Sequence, residues 1–356
     1  MSNCVHTRIA QRTGIITLDR PAALNSLSLA MVRDLSAVLR AWRIDPAIDA
    51  VVIGSSSPKA FCAGGDIRFF YEHGQRTPAG GSALIEDFFT EEYALNHLIH
   101  CYPKPYIALM DGVVMGGGMG IAQAGPGCRV RVVTDKSKMA MPEVNIGLFP
   151  DVGGSYFLSR MAGQLGTYLA LTGLTIGAAD AIGAGLADVY VAQERMGELT
   201  ALIEATPGAQ LRALVEGFGT APGESRLLAQ QALIDLHFSA GSVPAIMASL
   251  AQDSDPFAQA ALTAMRLRSP LMMSVTHEML RRGAGMAVAD CLRMERTLVR
   301  RNFEHGEVLE GVRALVIDKD NAPTWNPASL DAVTEDMVAA FFEPAWPDYA
   351  HPLQHL

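Results

Sequence analysis

Polar and apolar positions in the first half of the chain fall into short runs of two different periods. GIITLDRP, residues 14–21, is an apolar run of strand length that stops at Pro21, which cannot continue a ladder. In LNSLSLAMVRDLSAVLRAW, Met31, Leu35, Val38 and Trp42 recur at helical spacing, with Ser26 or Ser28 placed to cap the helix. IDAVVIGS, residues 48–55, predicts a second strand. SSSPKAFCAGGDIRFF predicts a loop with paired glycines that opens a helix, and EDFFTEEYALNHLIHCYPKP a helix stopped by Pro103. YIALMDG, residues 106–112, predicts a strand, and VVMGGGMGIAQAG a glycine-rich turn into a helix of small residues. CRVRVVTD, residues 128–135, alternates apolar and basic residues and predicts a half-exposed strand; KMAM predicts a short one.

This alternation of strands, helices and glycine loops is an α/β pattern. From about residue 160 the helical period takes over, in GTYLALTG, GAADAIGAG and QERMGELTALIEA. Residues 205–225 contain two Pro/Gly breaks, and long helical patterns then run to about residue 310. ALVIDKDNAPTWNPASLDAV predicts a last strand or turn before a terminal helix.

Composition narrows the class. The chain has 356 residues, 49% hydrophobic and 18% charged, which is enough apolar material for a sizeable core. Its net charge is −9 and no lysine- or arginine-rich run occurs, so nucleic acid is not an expected partner. No apolar run approaches the roughly 18 residues a membrane span needs, and the N-terminus lacks an apolar signal core. A cytoplasmic protein is expected. The five cysteines are scattered without CxxC spacing, which predicts reduced thiols rather than a disulfide framework.

Two loops could carry chemistry through their backbones. Gly116-Gly117-Gly118 lies between a predicted strand and a predicted helix, where N–H groups lack intrahelical partners and favour negative charge. FCAGGDIR, residues 61–68, has the same character. Each is equally readable as a closely packed turn, but together they could aim two N–H groups at one oxygen. Two acids, Glu143 and Asp151, sit in the apolar run AMPEVNIGLFPDVGGSYF, each after a proline that restricts the backbone. A carboxyl in an apolar pocket has a raised pKa and can serve as a base, nucleophile or proton shuttle. The plainer alternatives are an exposed turn residue for Glu143 and a helix N-cap for Asp151.

Other constellations are weaker. Glu91 and Glu92 are adjacent on a helix, so one of them at most can face a given cleft. His97 and His100 stand three apart with no third ligand evident, and no metal is expected. GxSxG, HExxH, Walker and dinucleotide-binding patterns are missing.

As a set, the blocks GIITLDRPAALNSLS, KAFCAGGDIR, KPYIALMDGVVMGGGMG, AMPEVNIGLFPDVGGSYFLSR and LALTGLTIGAADAIGAGLAD resemble the crotonase superfamily, the enoyl-CoA hydratase/isomerase family. The resemblance implies a spiral of ββα units (a ClpP-like α/β fold) with a helical C-terminal region. It implies a coenzyme A thioester as substrate, CoA entering as part of that substrate with no separate cofactor, and an oxyanion hole from the N–H groups of Gly65 and Gly117. On this reading residues 1–200 form the catalytic core and residues 201–356 a mainly helical region.

Hydratases of the family carry a catalytic glutamate three residues after the middle glycine of the GGG loop, and here that position is Gly120. The retained Glu143, the Asp151 of PDVGGSYF, the EEY helix and EGVRALVIDKDNAPTWNP at residues 310–327 are similar to the branch that hydrolyses 3-hydroxyisobutyryl-CoA in valine breakdown. That likeness implies Glu143 and Asp151 as catalytic residues and Glu92, Gly117, Glu143 and Asp151 as substrate contacts. A hydratase or isomerase of the same fold, and a non-catalytic CoA-binding protein, are the alternatives. Oligomeric state stays open: GLTIGAADAIGAGLAD lies where the superfamily often builds trimer contacts, and a long C-terminal region could instead cover that surface.

Overall fold

A hairpin opens the chain in the computed structural model, which describes residues 2–77 and 81–356. Strand β1 (Val5–Ala10) pairs antiparallel with β2 (Thr13–Leu18), from Val5 opposite Leu18 to Ala10 opposite Thr13. The two turn residues, Gln11 at φ 46° and Arg12 at φ 67°, are both left-handed, the conformation whose twist matches a two-residue hairpin. Strand β1 is absent from the sequence-based expectation because it is a mostly solvated edge strand with few apolar positions.

Helix α1 (Leu29–Ile44) follows, with Ser28 as its cap accepting from the Met31 N–H. Its buried stripe is Met31, Val32, Leu35, Leu39 and Trp42. Each such side chain contributes about 1.5–3 kcal/mol when fully buried. The helix carries the chain across to β3 (Ala50–Ser55), which pairs parallel with β2. Strands β5 (Tyr106–Met110), β7 (Arg129–Val133) and β9 (Val189–Tyr190) extend the sheet in parallel, giving the order β1-β2-β3-β5-β7-β9.

Three short strands make a second, parallel sheet: β4 (Ala60–Cys62), β6 (Val113–Met115) and β8 (Lys138–Ala140). Thus β3 leads to β4, β5 to β6 and β7 to β8, the first strand of each pair in the large sheet and the second in the small one. The helices α2 (Ile67–Arg76) and α4 (Gly117–Ala122) and the 3-10 turn Glu143–Ile146 follow the three pairs. This repeat is the expected ββα spiral. Gly112, at φ 82°, makes the bend between β5 and β6; a Cβ there would lie 2.3 Å from the Lys59 carbonyl oxygen.

Strand β7 differs from the half-exposed strand expected of it. Arg131 is 1% exposed. Its guanidinium donates to both oxygens of Asp188 at 2.9 and 2.8 Å, to the Gly185 carbonyl at 2.7 Å and to Gln123. A fully paired arginine can be buried where an unpaired one could not. One face of the sheet, with Val52, Ile107, Val130, Val132 and Val189, packs in a cluster with Leu199, Ile203, Leu211 and Val215 of two later helices.

The chain resolves into two compact units, one formed by residues 1–65, 94–140 and 175–228, the other by 66–93, 141–174 and 229–356. All nine strands among the described residues lie in the first. The second is helical. It holds α2, the first part of α3 (Ala83–His100), and the helices Pro270–Gly283 and Val288–His305. A ring cluster of Phe70, Phe88, Phe89 and Phe303 packs within it, with Phe89 against Tyr93 at 5.9 Å between centroids. Of the strand or turn expected in ALVIDKDNAPTWNPASLDAV, it is a turn that forms among the described residues. Arg313–Ile317 is a turn of π-helix, and Arg313 donates to Glu310, Asp318, Asp320 and the Ala322 carbonyl, which holds the segment as a local polar loop. No helix among the described residues is long and apolar enough to cross a membrane. All five cysteines are free.

Candidate active site

The glycine loops meet inside the first unit. The loop after β4 is tied to the segment before α1: Ala63 N–H donates to Leu24, Leu27 N–H donates to Gly64 at 2.7 Å, and Leu27 bridges Gly65. That bridge uses the Leu27 N–H and the Gly64 carbonyl, so the Gly65 N–H stays outside it. Gly64 is left-handed at φ 102°, and a Cβ on it would lie 3.2 Å from Met115 O and 3.6 Å from Gly117 N. Gly117 is the first residue of α4, where an N–H has no intrahelical acceptor. Gly118 presses on β4, since a Cβ there would sit 2.2 Å from Cys62 O. The absence of side chains therefore lets the two backbones approach each other closely.

Four carboxyls collect in the second unit. Glu143 starts the 3-10 turn that ends at left-handed Gly147, φ 67°. It is 6% exposed, so it is a buried acid and not an exposed turn residue, and its Oε2 has no hydrogen-bond partner among the described residues. Asp151 is also buried, and its Oδ2 accepts from the Tyr93 hydroxyl at 2.6 Å. Of the two adjacent glutamates on α3, Glu92 is buried, its Oε1 without a hydrogen-bond partner among the described residues, and Glu91 is half-buried.

Burial in apolar surroundings disfavours the charged form of each acid, and their mutual repulsion adds to it. Desolvation, then the Asp151 charge, pushes Glu143 and Glu92 well above the ordinary carboxylate range. Asp151 is raised to about 6 by burial, against the pull of the Tyr93 hydrogen bond. Of these three acids Asp151, at about 6, is the one whose proton is most easily given up near neutral pH, which suits proton transfer.

Asp151 is not the cap of the helix that follows it. Helix α5 (Gly154–Phe157) has Gly153 at its cap, and the Asp151 side chain is engaged with Tyr93. The role falls to Glu295, a fully buried acid on the helix Val288–His305. Its carboxylate accepts from Gly153 N–H at 2.8 Å, Ser155 N–H at 2.9 Å and the Ser155 hydroxyl. Burial raises Glu295 to about 8 against these bonds. Between the two acids Val152 is left-handed at φ 52°, strain of order 1–3 kcal/mol for a β-branched residue.

Tyr93 and Glu295 are the residues that sequence reasoning missed. Glu295 lies on the apolar stripe Cys291, Leu292, Leu298 and Val299, three or four positions from each, so its burial was legible from helical period. Tyr93 carried no such signal, since a tyrosine beside Glu92 reads as ordinary core. His97 lies 3.6 Å from Cys101 Sγ, and among the described residues no three His, Cys, Asp or Glu side chains are grouped as a metal site.

Successive strand pairs split between two sheets, with paired glycine loops at their ends, define a crotonase-fold protein. The family model described as Enoyl-CoA hydratase/isomerase matches residues 13–342, and the chain belongs to that family. Among its relatives is a Gallus gallus protein named "3-hydroxyisobutyryl-CoA hydrolase, mitochondrial", 38% identical over 339 residues, 93% of this chain and 86% of that one. Two solved structures are similar over nearly their whole length. A carnitinyl-CoA dehydratase from Mycobacterium thermoresistibile has TM-score 0.91 and 39% identity, covering 97% of this chain and 98% of its own. An enoyl-CoA hydratase from Rhodobacter sphaeroides 2.4.1 has TM-score 0.88 and 40% identity, covering 96% and 98%. The relative's name says mitochondrial, so the cytoplasmic compartment expected from the sequence finds no support there.

Proposed function

We propose that this protein hydrolyses the thioester of 3-hydroxyisobutyryl-CoA to 3-hydroxyisobutyrate and CoA. The observation that carries the reading is the buried Glu143 together with Asp151 on its Tyr93 hydrogen bond, in a chain with glycine at position 120. The likeness to a hydrolase of that name along 93% of the chain supports it.

In the reaction the thioester carbonyl oxygen gains negative charge, which the N–H groups of Gly65 and Gly117 stabilise. One such donor lowers the barrier by roughly 3–4 kcal/mol. Glu143 either takes a proton from the attacking water or attacks the carbonyl to form an anhydride that water then opens. In both routes a C–O bond forms, the C–S bond breaks, one water is consumed and the CoA thiolate takes up a proton. Asp151, titrating at about 6, orients the water and passes the proton toward the departing sulfur. Glu92 faces the hydroxyl end of the acyl group. Desolvated together, the acids are poised to share protons rather than to carry three charges.

The names of the two solved structures favour a second reading, hydration or dehydration at an enoyl-CoA double bond. Gly120 weighs against it, because the family's second hydration acid is missing at that position. Release of free thiol from 3-hydroxyisobutyryl-CoA, followed with a thiol reagent, separates the two. Steady thiol release supports the hydrolase; a flat thiol signal with a changing enoyl absorbance overturns it in favour of hydration.

A further inference from the structure

We propose that Glu295 is the positioning residue of the acid pair: its carboxylate holds the turn after Asp151 and so sets the aim of the Asp151 carboxyl. This rests on the hydrolase reading above for its kinetic arm only. Asp151 is followed by two left-handed residues, Val152 at φ 52° and Gly153 at φ 90°. Nothing in the local sequence favours that path for valine. What holds it is Glu295, reached from 140 positions along the chain, which accepts three hydrogen bonds from Gly153 and Ser155. The Asp151 carbonyl closes the same turn by accepting from Gly154 N–H at 2.7 Å.

The helix bearing Glu295 is itself anchored to α3. Arg296, 1% exposed, donates to Thr90 Oγ1 at 3.0 Å and to Glu86 Oε2 at 2.5 Å. Glu92 and Tyr93 lie one turn further along α3, so residues 295 and 296 grip both sides of the Tyr93–Asp151 hydrogen bond. Arg296 is spent on Glu86, and no cation bonds to Glu295 among the described residues. The groups that face Glu295 are Asp151 and Ser155 on the turn, Glu143 on the 3-10 turn, Tyr93 on α3 and Cys291 on its own helix. The two oxygens of Glu295 serve both N–H groups and the Ser155 hydroxyl at once, which a single serine hydroxyl at the cap would not.

The test is Glu295→Gln in the full chain, with thiol-release kinetics across pH and amide exchange of the 151–157 segment. Glutamine is isosteric but uncharged, and its NH2 group faces an N–H donor. We expect kcat to fall about 10- to 100-fold with KM within about threefold, as for a small misplacement of a reacting group. Exchange at Gly153 and Ser155 speeds up. An unchanged kcat, or unchanged exchange, overturns the proposal, the first because a merely structural residue would lower stability and leave the turnover of the folded protein intact. Should that variant not fold, Ser155→Ala removes one donor and keeps the carboxyl. It is expected to lower kcat a few-fold at constant KM and to speed exchange; no change in either overturns the proposal. A wild-type protein that releases no thiol sinks the hydrolase reading, while the exchange arm still reports on Glu295.

Discussion

The Tyr93 hydroxyl donates to Asp151 Oδ2 at 2.6 Å, with the tyrosine fully buried and the acid nearly so. The bond stabilises the ionised acid and partly offsets the desolvation that pushes Asp151 up to about 6. Removing the hydroxyl while keeping the ring should therefore change chemistry more than packing. For Tyr93→Phe, Asp151 should ionise at higher pH, the acid limb of the rate profile should move alkaline, and kcat should fall roughly tenfold at neutral pH. Denaturant unfolding should show a loss of only about 1–2 kcal/mol. A pH profile identical to wild type would detach Tyr93 from the acid.

Glu143→Gln should abolish most turnover, by about 10²- to 10⁴-fold. The shape of the side chain is kept, so binding of a CoA ester measured by calorimetry should stay within a few-fold of wild type. Full turnover in this variant would remove Glu143 from the mechanism.

Stability should depend on pH in a direction set by the buried acids. Glu295 at about 8, Glu307 at about 7 and Asp151 at about 6 all hold protons in the folded chain above the range where the unfolded chain releases them. Between about pH 4 and pH 8 the folded state binds more protons from these groups, so their contribution to stability falls as pH rises. His277, His305 and His351, lowered by burial, act in the opposite sense and add stability as pH rises up to their ordinary range, with no further gain above it. The acids can be isolated by comparison: the melting temperature of Glu295→Gln relative to wild type should rise from pH 5 to pH 8. A constant difference would show that Glu295 does not titrate in this window.

Gly118 tests the close approach of the glycine loops. Alanine there would bring Cβ to 2.2 Å from the Cys62 carbonyl oxygen, a backbone atom that moves only with β4. Gly118→Ala should lower stability by about 1–3 kcal/mol and turnover by more than tenfold, through displacement of the Gly117 N–H. At Gly127 an added Cβ meets nothing within 4 Å, and Gly127→Ala should match wild type in both measurements.

Elements with a strong local period were legible in the sequence. The stripe of α1 and its Ser28 cap, the strand runs of β2, β3 and β5, and the glycine loops all appear where local pattern puts them. The family was legible too, because its blocks are short, ordered and tied to backbone geometry. What failed is what depends on distant partners. Arg131 reads as an exposed position of an alternating strand until Asp188, 57 residues away, neutralises it. Asp151 reads as a helix cap until Glu295 takes over the N–H groups it would have served.

By itself, then, the sequence determined the α/β pattern, the glycine loops and the two acids, since helical and strand periods and glycine's small size act within a few residues. Only the tertiary structure decided which carboxyls are buried together, that Tyr93 bonds one of them and that Glu295 holds its turn. Protonation and aim depend on desolvation and hydrogen bonds from residues far apart in the chain, and no local pattern encodes those.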